Sequence, residues 1–356
     1  MNRKLYLLRL IHNGLINHLL QNFSLQLHGN IFCKPEAIDI FPTYRCNLRC
    51  RQCAIYEHRT NEVTFDKWKE IIANLERWLG HFRLRICGGE PFMREDLLEI
   101  IRYSHRLGIV TILTTNGSLI DKNIAEKIIE SGLDFISISL DSLKEEPHDF
   151  LRGFPGTHKK IMQAIEYMKG KITIQICTTI MSYNLDEILN LLEFVERNKL
   201  KISFQGLIPQ LKVPIDSFDF QNFDLWPKDR KKIDYIFSEL FLRKKRNSNI
   251  TNSYRHLELI HSYYKQPRKN INYSCQAHKS NFIIMPNGNV KFCSRFRPIG
   301  NIAFDLPQKI WKSKEAALIR EEMKDCCRNC TFIRYYYYET LPEKISRFKN
   351  IFLTTP

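Results

Sequence analysis

The segment AIDIFPTYRCNLRCRQC, residues 37–53, joins a short strand-like run to a loop that carries Cys46, Cys50 and Cys53. The spacing is C-x3-C-x2-C, so three thiolates on one loop can bind one corner of a metal cluster. A zinc ion usually takes four ligands in two pairs, and although His58 is near, no fourth Cys or His completes a local pair. A 4Fe–4S cubane has four irons, so three cysteines leave one iron open to bind and activate a small ligand.

Around this loop, residues 36–206 alternate between strand-like and helical patterns. The predicted strands are 37–41, 82–87, 109–115, 135–140, 172–180 and 201–205. The predicted helices are 65–78, 94–107, 121–131, 157–169 and 184–198, with Asp121 and Asn184 as N-caps. This alternation predicts an α/β fold with a parallel sheet and right-handed crossovers. Six units are too few for a closed eight-fold barrel, so we predict a partial, open (β/α)6 TIM-like barrel with its chemistry at the carboxyl ends of the strands.

Three later turns lie at the same predicted edge, each after a strand. The second strand leads into GGEP, residues 88–91, where a glycine-rich turn exposes backbone carbonyls, admits a ligand closely and adds one negative charge. The third strand ends in TTNG, residues 114–117, and the fourth in SISLDS, residues 137–142. Strand alternation places residues 137, 139 and 141 on one face. For the GGEP turn, an ordinary connection without a ligand is the alternative.

These motifs, in this order, resemble the signature of the radical S-adenosylmethionine (SAM) superfamily. The resemblance implies that the open iron of a 4Fe–4S cluster chelates the amino and carboxylate groups of SAM, and that the reduced cluster cleaves the sulfonium to a 5′-deoxyadenosyl radical. It also implies a SAM-binding set that consists of Gly88, Gly89, Glu90 and Pro91 near the amino group, the turn residues Thr115 and Asn116, Ser139 and Asp141 at the ribose or carboxylate, and Arg152 paired with the carboxylate. A surface salt bridge is the alternative for Arg152. Gln52 departs from the family, in which the residue before the third cysteine is often aromatic and packs near adenine.

A second group of cysteines lies near the C-terminus. Residues 282–292 predict a β-hairpin with Cys275 and Cys293 near its two ends, and Cys327-x2-Cys330 supplies a later pair. Four thiolates gathered in this way can close a metal site, and a tetrathiolate zinc ribbon is one interpretation. Downstream of a barrel of this kind, the unit resembles the Twitch domain, the shortened relative of the SPASM domain. That resemblance implies that the four cysteines ligate one auxiliary 4Fe–4S cluster, with Cys326 either replacing Cys327 or lying free.

The domain organisation follows from these patterns. We predict an amphipathic N-terminal segment (1–35), the barrel (36–206), a connecting helical segment (207–270), the Twitch/SPASM-like domain (271–335) and a C-terminal tail (336–356). The first segment is predicted to be a helix packed on the barrel, with a basic helix lying on a membrane as the alternative. No apolar run reaches the roughly 18 residues of a spanning helix. Without a signal-peptide pattern the predicted location is the reducing cytoplasm, peripheral to the membrane in the alternative, where clustered cysteines bind metals.

The formal net charge of +16 favours an anionic partner: an acidic peptide, a phosphorylated small molecule, a membrane surface or a nucleic acid, although no nucleic-acid recognition module is seen. The expected function is abstraction of a substrate hydrogen and oxidative modification of a peptide or small molecule, with the auxiliary cluster as electron acceptor. Expected cofactors are SAM and two 4Fe–4S clusters, and the expected electron donor is a flavodoxin or ferredoxin. A membrane-associated enzyme of lipid modification and a non-catalytic iron–sulfur or zinc protein are the alternatives. Cys87 and Cys177 are predicted to be buried small side chains, with a hydrogen-atom donor as the alternative.

Overall fold

A single sheet of nine strands organises the described part of the chain. The computed structural model describes residues 33–80, 82–208, 219–220, 222–246, 249–267, 275 and 277–324. The strands are β1 Ala37–Ile40, β2 Arg83–Ile86, β3 Val110–Thr115, β4 Phe135–Ser139, β5 Thr173–Ile180, β6 Lys201–Gly206, β7 Asn281–Ile284, β8 Asn289–Lys291 and β9 Gly300–Asn301. Their order is β6-β5-β4-β3-β2-β1-β7-β8-β9. All pairs from β6 to β7 are parallel, whereas β7-β8 and β8-β9 are antiparallel.

Helices fill the connections between the parallel strands. They are α1 Phe65–Leu79, α2 Leu97–Arg106, α3 Lys122–Glu130, α4 Glu145–Arg152, α5 Thr157–Met168, α6 Ile188–Arg197, α7 Arg230–Lys245, α8 Tyr254–Lys265, α9 Ala277–Ser280, α10 Pro307–Trp311 and α11 Lys314–Lys324. Helix α1 shows how they pack, because Trp68, Ile71 and Leu75 recur at helical spacing and are buried. No helix within the described ranges has the length and hydrophobicity that crossing a bilayer requires.

The predicted α/β fold with a parallel sheet is confirmed, and the six predicted strands and five predicted helices are all present within a few residues. Asp121 is the N-cap of α3, since its side chain accepts a hydrogen bond of 2.7 Å from the Ile124 amide. The prediction for Asn184 was wrong: it lies inside a 3-10 turn, Ser182–Glu187, that precedes α6. Its side-chain amide is buried and donates to the carbonyl oxygens of Asp141 and Thr179, both at 2.8 Å.

The C-terminal hairpin continues the barrel sheet. Strand β7 lies parallel to β1, with Ile38 opposite Phe282 and Ile40 opposite Ile284, and then turns back through Gly288 into β8. The hairpin was predicted as part of a separate small unit, but it adds a seventh parallel strand on the far side of β1. The predicted N-terminal helix and C-terminal tail lie outside the described residues, apart from residues 33–35.

One face of the parallel sheet carries polar side chains. Burial raises the pKa of the Cys177 thiol on β5, and the cation of Arg85 on β2 is close enough to oppose that shift. The registers of the strands from β2 to β5 place Arg85 and Cys177 on the same face of the sheet. Arg85 also holds Asp39 of β1 through bonds of 3.1 and 2.6 Å. Because the strands are parallel, their carboxyl ends lie together at one edge of the sheet.

Candidate active site

The cysteine loop follows β1 at the carboxyl edge of the sheet. Its three thiols, Cys46, Cys50 and Cys53, are half-buried and free of disulfides. Burial raises the pKa of Cys46 to about 11 and raises the pKa values of Cys50 and Cys53 as well. The thiols are consequently protonated near neutral pH, and a metal that binds them must displace three protons.

Each of the three sulfurs accepts one hydrogen bond. The amide of Leu48 donates to Cys46, and the amide of Ile55 donates to Cys53. The third sulfur, of Cys50, faces a guanidinium nitrogen, Nη1 of Arg152, at 4.0 Å. Donors to sulfur stabilise thiolate ligands and tune the potential of iron–sulfur clusters.

The donor set suits a cluster better than a single ion. Within the described residues, no three His, Cys, Asp or Glu side chains are arranged to hold one metal ion. In a 4Fe–4S cluster each cysteine binds a different iron, so three sulfurs surround the cluster instead of meeting at one point. Three free thiols on one loop, each with its own donor, fit that arrangement.

The GGEP turn packs directly against the cysteine loop. The amide of Gly89 donates to the Thr43 carbonyl at 3.0 Å, and that of Glu90 donates to the Arg45 carbonyl at 2.8 Å. A Cβ on Gly89 would lie 2.2 Å from the Arg45 carbonyl oxygen, and a Cβ on Gly88 would lie 2.8 Å from that of Thr43. The glycines were predicted to let a ligand approach closely. In the structure, their lack of a Cβ lets the cysteine loop approach closely.

The carboxylate of Glu90 is buried and points toward the turn after β3. One oxygen accepts hydrogen bonds from Thr115 Oγ1 at 2.7 Å and the Phe92 amide at 3.2 Å. The other accepts the Asn116 amide at 2.8 Å. Burial raises the pKa of Glu90 to about 7, although these three donors oppose the shift. The carboxylate was predicted to lie near the amino group of SAM. In the structure it joins the turn after β2 to the turn after β3. Pro91, the next residue, begins a short 3-10 turn.

Asn47 is a site residue that the sequence analysis missed. Its side-chain oxygen accepts a bond of 2.9 Å from the Asn116 amide nitrogen, and its own amide nitrogen donates to Ser118 Oγ at 2.8 Å. Asn116 Oδ1 in turn accepts hydrogen bonds from the backbone amide and the hydroxyl of Ser118. The cysteine loop is thus tied to the TTNG turn by side chains, and the signal was Asn47's place between the first two cysteines.

Asp141 and Arg152 form a buried ion pair behind Cys50. Arg152 Nη2 lies 2.7 Å from Asp141 Oδ2, and Asp141 Oδ1 accepts the Thr179 amide at 3.1 Å. Burial raises the pKa of Asp141, and Arg152 opposes that change. The Asp141 amide donates to His148 Nδ1, and burial, helped by Arg152, lowers the pKa of His148 to about 2, so this imidazole is neutral.

Several buried polar atoms near the loop have no hydrogen-bond partner among the described residues, and two of them suit the charged groups of a ligand. Arg152 Nε has no hydrogen-bond partner among the described residues, nor has Gln52 Oε1. The first is a cationic donor suited to a carboxylate, and the second is an acceptor suited to an amino group. A ligand that carries both a carboxylate and an amino group could satisfy both atoms.

The end of α4 closes the site from a third side. The Arg51 amide donates to the Leu151 carbonyl at 3.0 Å. Gly153 has φ +69°, and a Cβ there would lie 2.2 Å from the Arg49 carbonyl oxygen. The structure thereby brings Arg152 beside Cys50, on a helix that was not predicted, and its predicted pairing with the carboxylate of SAM stays a prediction.

Ser139 and Cys177 are direct neighbours at the carboxyl ends of β4 and β5. Ser139 is half-buried at the end of its strand. Cys177 was predicted to be a buried apolar side chain, but its sulfur accepts hydrogen bonds from Gln205 and Ser137. That prediction was incomplete, because the face of the sheet around Cys177 is polar. Cys87 is buried, as predicted.

Of the cysteines near the C-terminus, the structure describes Cys275 and Cys293. Cys275 precedes α9 and Cys293 follows β8, and both are buried and free of disulfides. They flank the hairpin as predicted. Cys326, Cys327 and Cys330 lie outside the described residues, so the predicted four-cysteine ligand set stays a prediction.

Comparison with known proteins agrees with this geometry. The chain matches the family model of the radical SAM superfamily over residues 40–195 and that of an iron–sulfur cluster-binding domain, SPASM, over residues 275–331. An AdoMet-dependent heme synthase of Methanosarcina barkeri is 27% identical over 308 residues, which cover 82% of this chain and 86% of that enzyme. An enzyme of the same name from Oleidesulfovibrio alaskensis is 35% identical over 161 residues, covering 44% of this chain and 41% of that enzyme.

Solved structures share the fold. The structure of anSMEcpe with bound AdoMet and the Cp18Cys peptide aligns with a TM-score of 0.65 at 18% identity, over 90% of this chain and 96% of that one. The overall fold of this chain is therefore a known one.

Proposed function

Because this chain belongs to the radical SAM superfamily and carries a SPASM iron–sulfur domain, we propose that it cleaves SAM reductively and uses the 5′-deoxyadenosyl radical to remove a hydrogen atom from a peptide or small molecule. Cys46, Cys50 and Cys53 would hold the 4Fe–4S cluster. When bound, that cluster supplies the single electron that breaks the sulfonium bond of SAM. The observation that carries the proposal is the loop of three free thiols, each with a hydrogen-bond donor, at the carboxyl edge of the sheet.

The neighbouring turns would bind and orient SAM. Arg152 Nε, buried and without a described partner, suits the methionine carboxylate. Ser139, at the end of β4, suits the ribose. Glu90, Thr115 and Asn116 act indirectly in this proposal, since their bonds to one another fix the positions of the turns that line the site. The bonds of Asn47 to Asn116 and Ser118 hold the cysteine loop in register with them.

The second half of the proposed reaction is oxidation of the substrate radical. Cys275, Cys293, Cys327 and Cys330 would ligate one auxiliary 4Fe–4S cluster that accepts an electron from the substrate. Four protein ligands leave such a cluster no open iron, which suits electron transfer without substrate binding. The buried positions of Cys275 and Cys293 support a closed centre of this kind.

The substrate is proposed as a class. Relatives differ in substrate, since one is named a heme synthase and a structural neighbour holds a peptide. The formal net charge of +16 favours a substrate with negative groups. The cytoplasm is the proposed location, and peripheral membrane contact through residues 1–35 is kept as a prediction.

Anaerobic reconstitution tests the proposal. Protein purified without oxygen and supplied with iron and sulfide should bind about eight irons per chain, as expected for two 4Fe–4S clusters. With dithionite and SAM it should release 5′-deoxyadenosine, measured by chromatography. Zinc bound to the thiols in place of iron, with no 5′-deoxyadenosine, would contradict the proposal.

A further inference from the structure

An arginine-rich surface lies directly outside the cysteine loop, and we propose that it docks an acidic one-electron carrier protein that reduces the cluster; this inference rests on the function proposed above. The surface, called here the arginine face, consists of the exposed side chains of Arg49, Arg51 and Arg59. Arg49 and Arg51 flank Cys50 in the sequence. A carrier bound to the arginine face therefore sits beside the proposed cluster ligands.

The guanidinium groups of Arg49 and Arg51 are held by neutral partners. Arg49 donates to the carbonyls of Cys46 and Leu48, both at 2.9 Å, and lies 4.5 Å from the centre of the Tyr56 ring. Arg51 donates to the Phe150 carbonyl at 3.1 Å and stacks 3.8 Å from the centre of the Phe150 ring. Such contacts fix each side chain in place but leave its positive charge uncancelled.

Arg59 extends the same pattern. It donates to the carbonyls of Tyr56 at 2.5 Å and of His58 at 3.1 Å. None of the three arginines forms an ion pair within the described part of the chain, whereas Arg85, Arg94 and Arg297 each pair with carboxylates. Glu57 is the single carboxylate between residues 49 and 59. Residues 49–59 thus carry three arginines against one carboxylate, and this net positive charge would attract an acidic protein over several ångströms.

Exposed aromatic rings border the arginine face. Phe150, under Arg51, stacks on Tyr183 with ring centres 4.6 Å apart, and Tyr183 is 47% exposed. Phe154, next to the Gly153 that packs on Arg49, is 51% exposed. Arginine and aromatic side chains are enriched in protein–protein interfaces and at their energetic centres. The combination fits a docked protein better than a bound ion.

Position favours an electron carrier over an acidic substrate peptide. A carrier only has to bring its redox group near the sulfurs of the loop, and Arg49 and Arg51 adjoin Cys50. A substrate has to reach the polar face of the sheet, where Arg85 and Cys177 lie. In the proposed step, one electron leaves the reduced flavin or iron–sulfur group of the carrier and enters the oxidised 4Fe–4S cluster, and no bond forms or breaks.

The test compares charge reversals inside and outside the arginine face. The variants are Arg51→Glu and Arg59→Glu, with Lys127→Glu on the exposed side of α3 as a control of equal charge change. Reconstituted protein is mixed with a flavodoxin hydroquinone, and the loss of cluster absorbance is followed by stopped flow. At low salt each arginine variant should be reduced roughly tenfold more slowly than the parent or Lys127→Glu, and the difference should shrink near 0.5 M salt.

Two further measurements separate docking from the rest of the function. Calorimetry with oxidised flavodoxin, which cannot reduce the cluster, measures binding alone. It should show weaker binding to Arg51→Glu and Arg59→Glu than to the parent protein. Dithionite, which needs no docking surface, should reduce all variants and drive 5′-deoxyadenosine release at the parent rate. If the parent protein releases no 5′-deoxyadenosine, the proposed function is contradicted, but the flavodoxin binding data still test the docking proposal.

Equal flavodoxin affinity and reduction rate in the parent and both arginine variants would overturn the docking proposal. The proposal would also be overturned if flavodoxin reduced the cluster of the arginine variants at the parent rate while these variants no longer modified the substrate, because the arginine face would then serve the substrate. Arg51 also braces the loop against Phe150, so Arg51→Lys keeps the charge as a check, and Arg59→Glu removes only bonds to loop carbonyls. Iron content shows whether each variant has assembled.

Discussion

The two cysteine groups of this chain are built in opposite ways. Cys46, Cys50 and Cys53 come from one loop, remain half-buried and take hydrogen bonds from nearby amides and a guanidinium. Cys275 and Cys293 flank a hairpin of the sheet and are only 8% and 4% exposed. Reachable sulfurs suit a centre that binds a cosubstrate, whereas enclosed sulfurs suit a centre that only passes electrons.

Removing a sulfur from the loop should have the largest effect. The Cys50→Ala variant is expected to bind about four fewer irons per chain, because two cysteines hold a cubane poorly. Release of 5′-deoxyadenosine should fall by at least about 10³-fold, as for loss of an essential catalytic group. Cys87→Ala, which removes a buried thiol outside the loop, serves as the control and should keep both iron and activity. Near-parent cleavage of SAM by Cys50→Ala would exclude the loop as the SAM-cleaving centre.

Removing a buried sulfur should separate the two halves of the reaction. The Cys293→Ala variant is expected to lose about four irons as well, yet to continue releasing 5′-deoxyadenosine. Oxidised substrate should not accumulate, because the electron acceptor is missing. Iron analysis and chromatography of both products check this. A folded Cys293→Ala protein that no longer cleaves SAM would show that the two centres are not independent.

The packing of α4 on the cysteine loop can be tested with two nearby glycines. Gly153 and Gly156 have φ +69° and +76°, but a Cβ on Gly153 would meet the Arg49 carbonyl at 2.2 Å, whereas one on Gly156 meets nothing within 4 Å. Gly156→Ala should therefore lower the free energy of unfolding by about 1 kcal/mol from backbone strain alone. Gly153→Ala should cost about 2 kcal/mol more, from displacement of the loop, and should weaken iron binding. Urea unfolding measures both, and equal losses would show that the close contact is unimportant.

The smallest expected effect concerns the charge of Glu90. Its pKa is raised by burial to about 7 from an ordinary 4.5, so the folded chain holds this proton more tightly than the unfolded chain. The resulting stability is full below about pH 4.5 and is lost as the pH rises through 7. Glu90→Gln cannot ionise, and its metal-free unfolding free energy should vary less between about pH 5 and 8. Glu126→Gln, on the exposed side of α3, is the control and should follow the parent curve. A parent slope retained in Glu90→Gln would assign the pH dependence to other groups.

Local patterns predicted the strands, the main helices and the motif residues, because these depend on side-chain periodicity within a short window. Helix α4 was missed since Pro147 interrupts its sequence, although proline is tolerated in the first turn of a helix. Asn184 was misplaced by three residues: its side-chain oxygen caps the turn by accepting the Met181 amide, but its side-chain nitrogen binds carbonyls of Asp141 and Thr179 on other elements. Tertiary contacts of this kind leave no periodic signal.

The site residues were predicted, but their bonds to one another were not. Glu90 binds Thr115 and Asn116, and Arg152 pairs with Asp141 instead of meeting only a ligand. Motif position indicates that a residue is near the site and says nothing of which atoms it contacts. The pairing of β7 with β1 was missed for the same reason, because the two strands are more than 200 residues apart.

That late pairing matters while the protein is being made. Strand β1 is translated more than 200 residues before β7, its partner on one edge, so the two strands cannot pair until β7 has been made. An unpaired edge bearing Ile38 and Ile40 is a template for wrong strand pairing between nascent chains. Synthesis that stalls before residue 281 should therefore yield chains that aggregate, whatever their ability to take up iron.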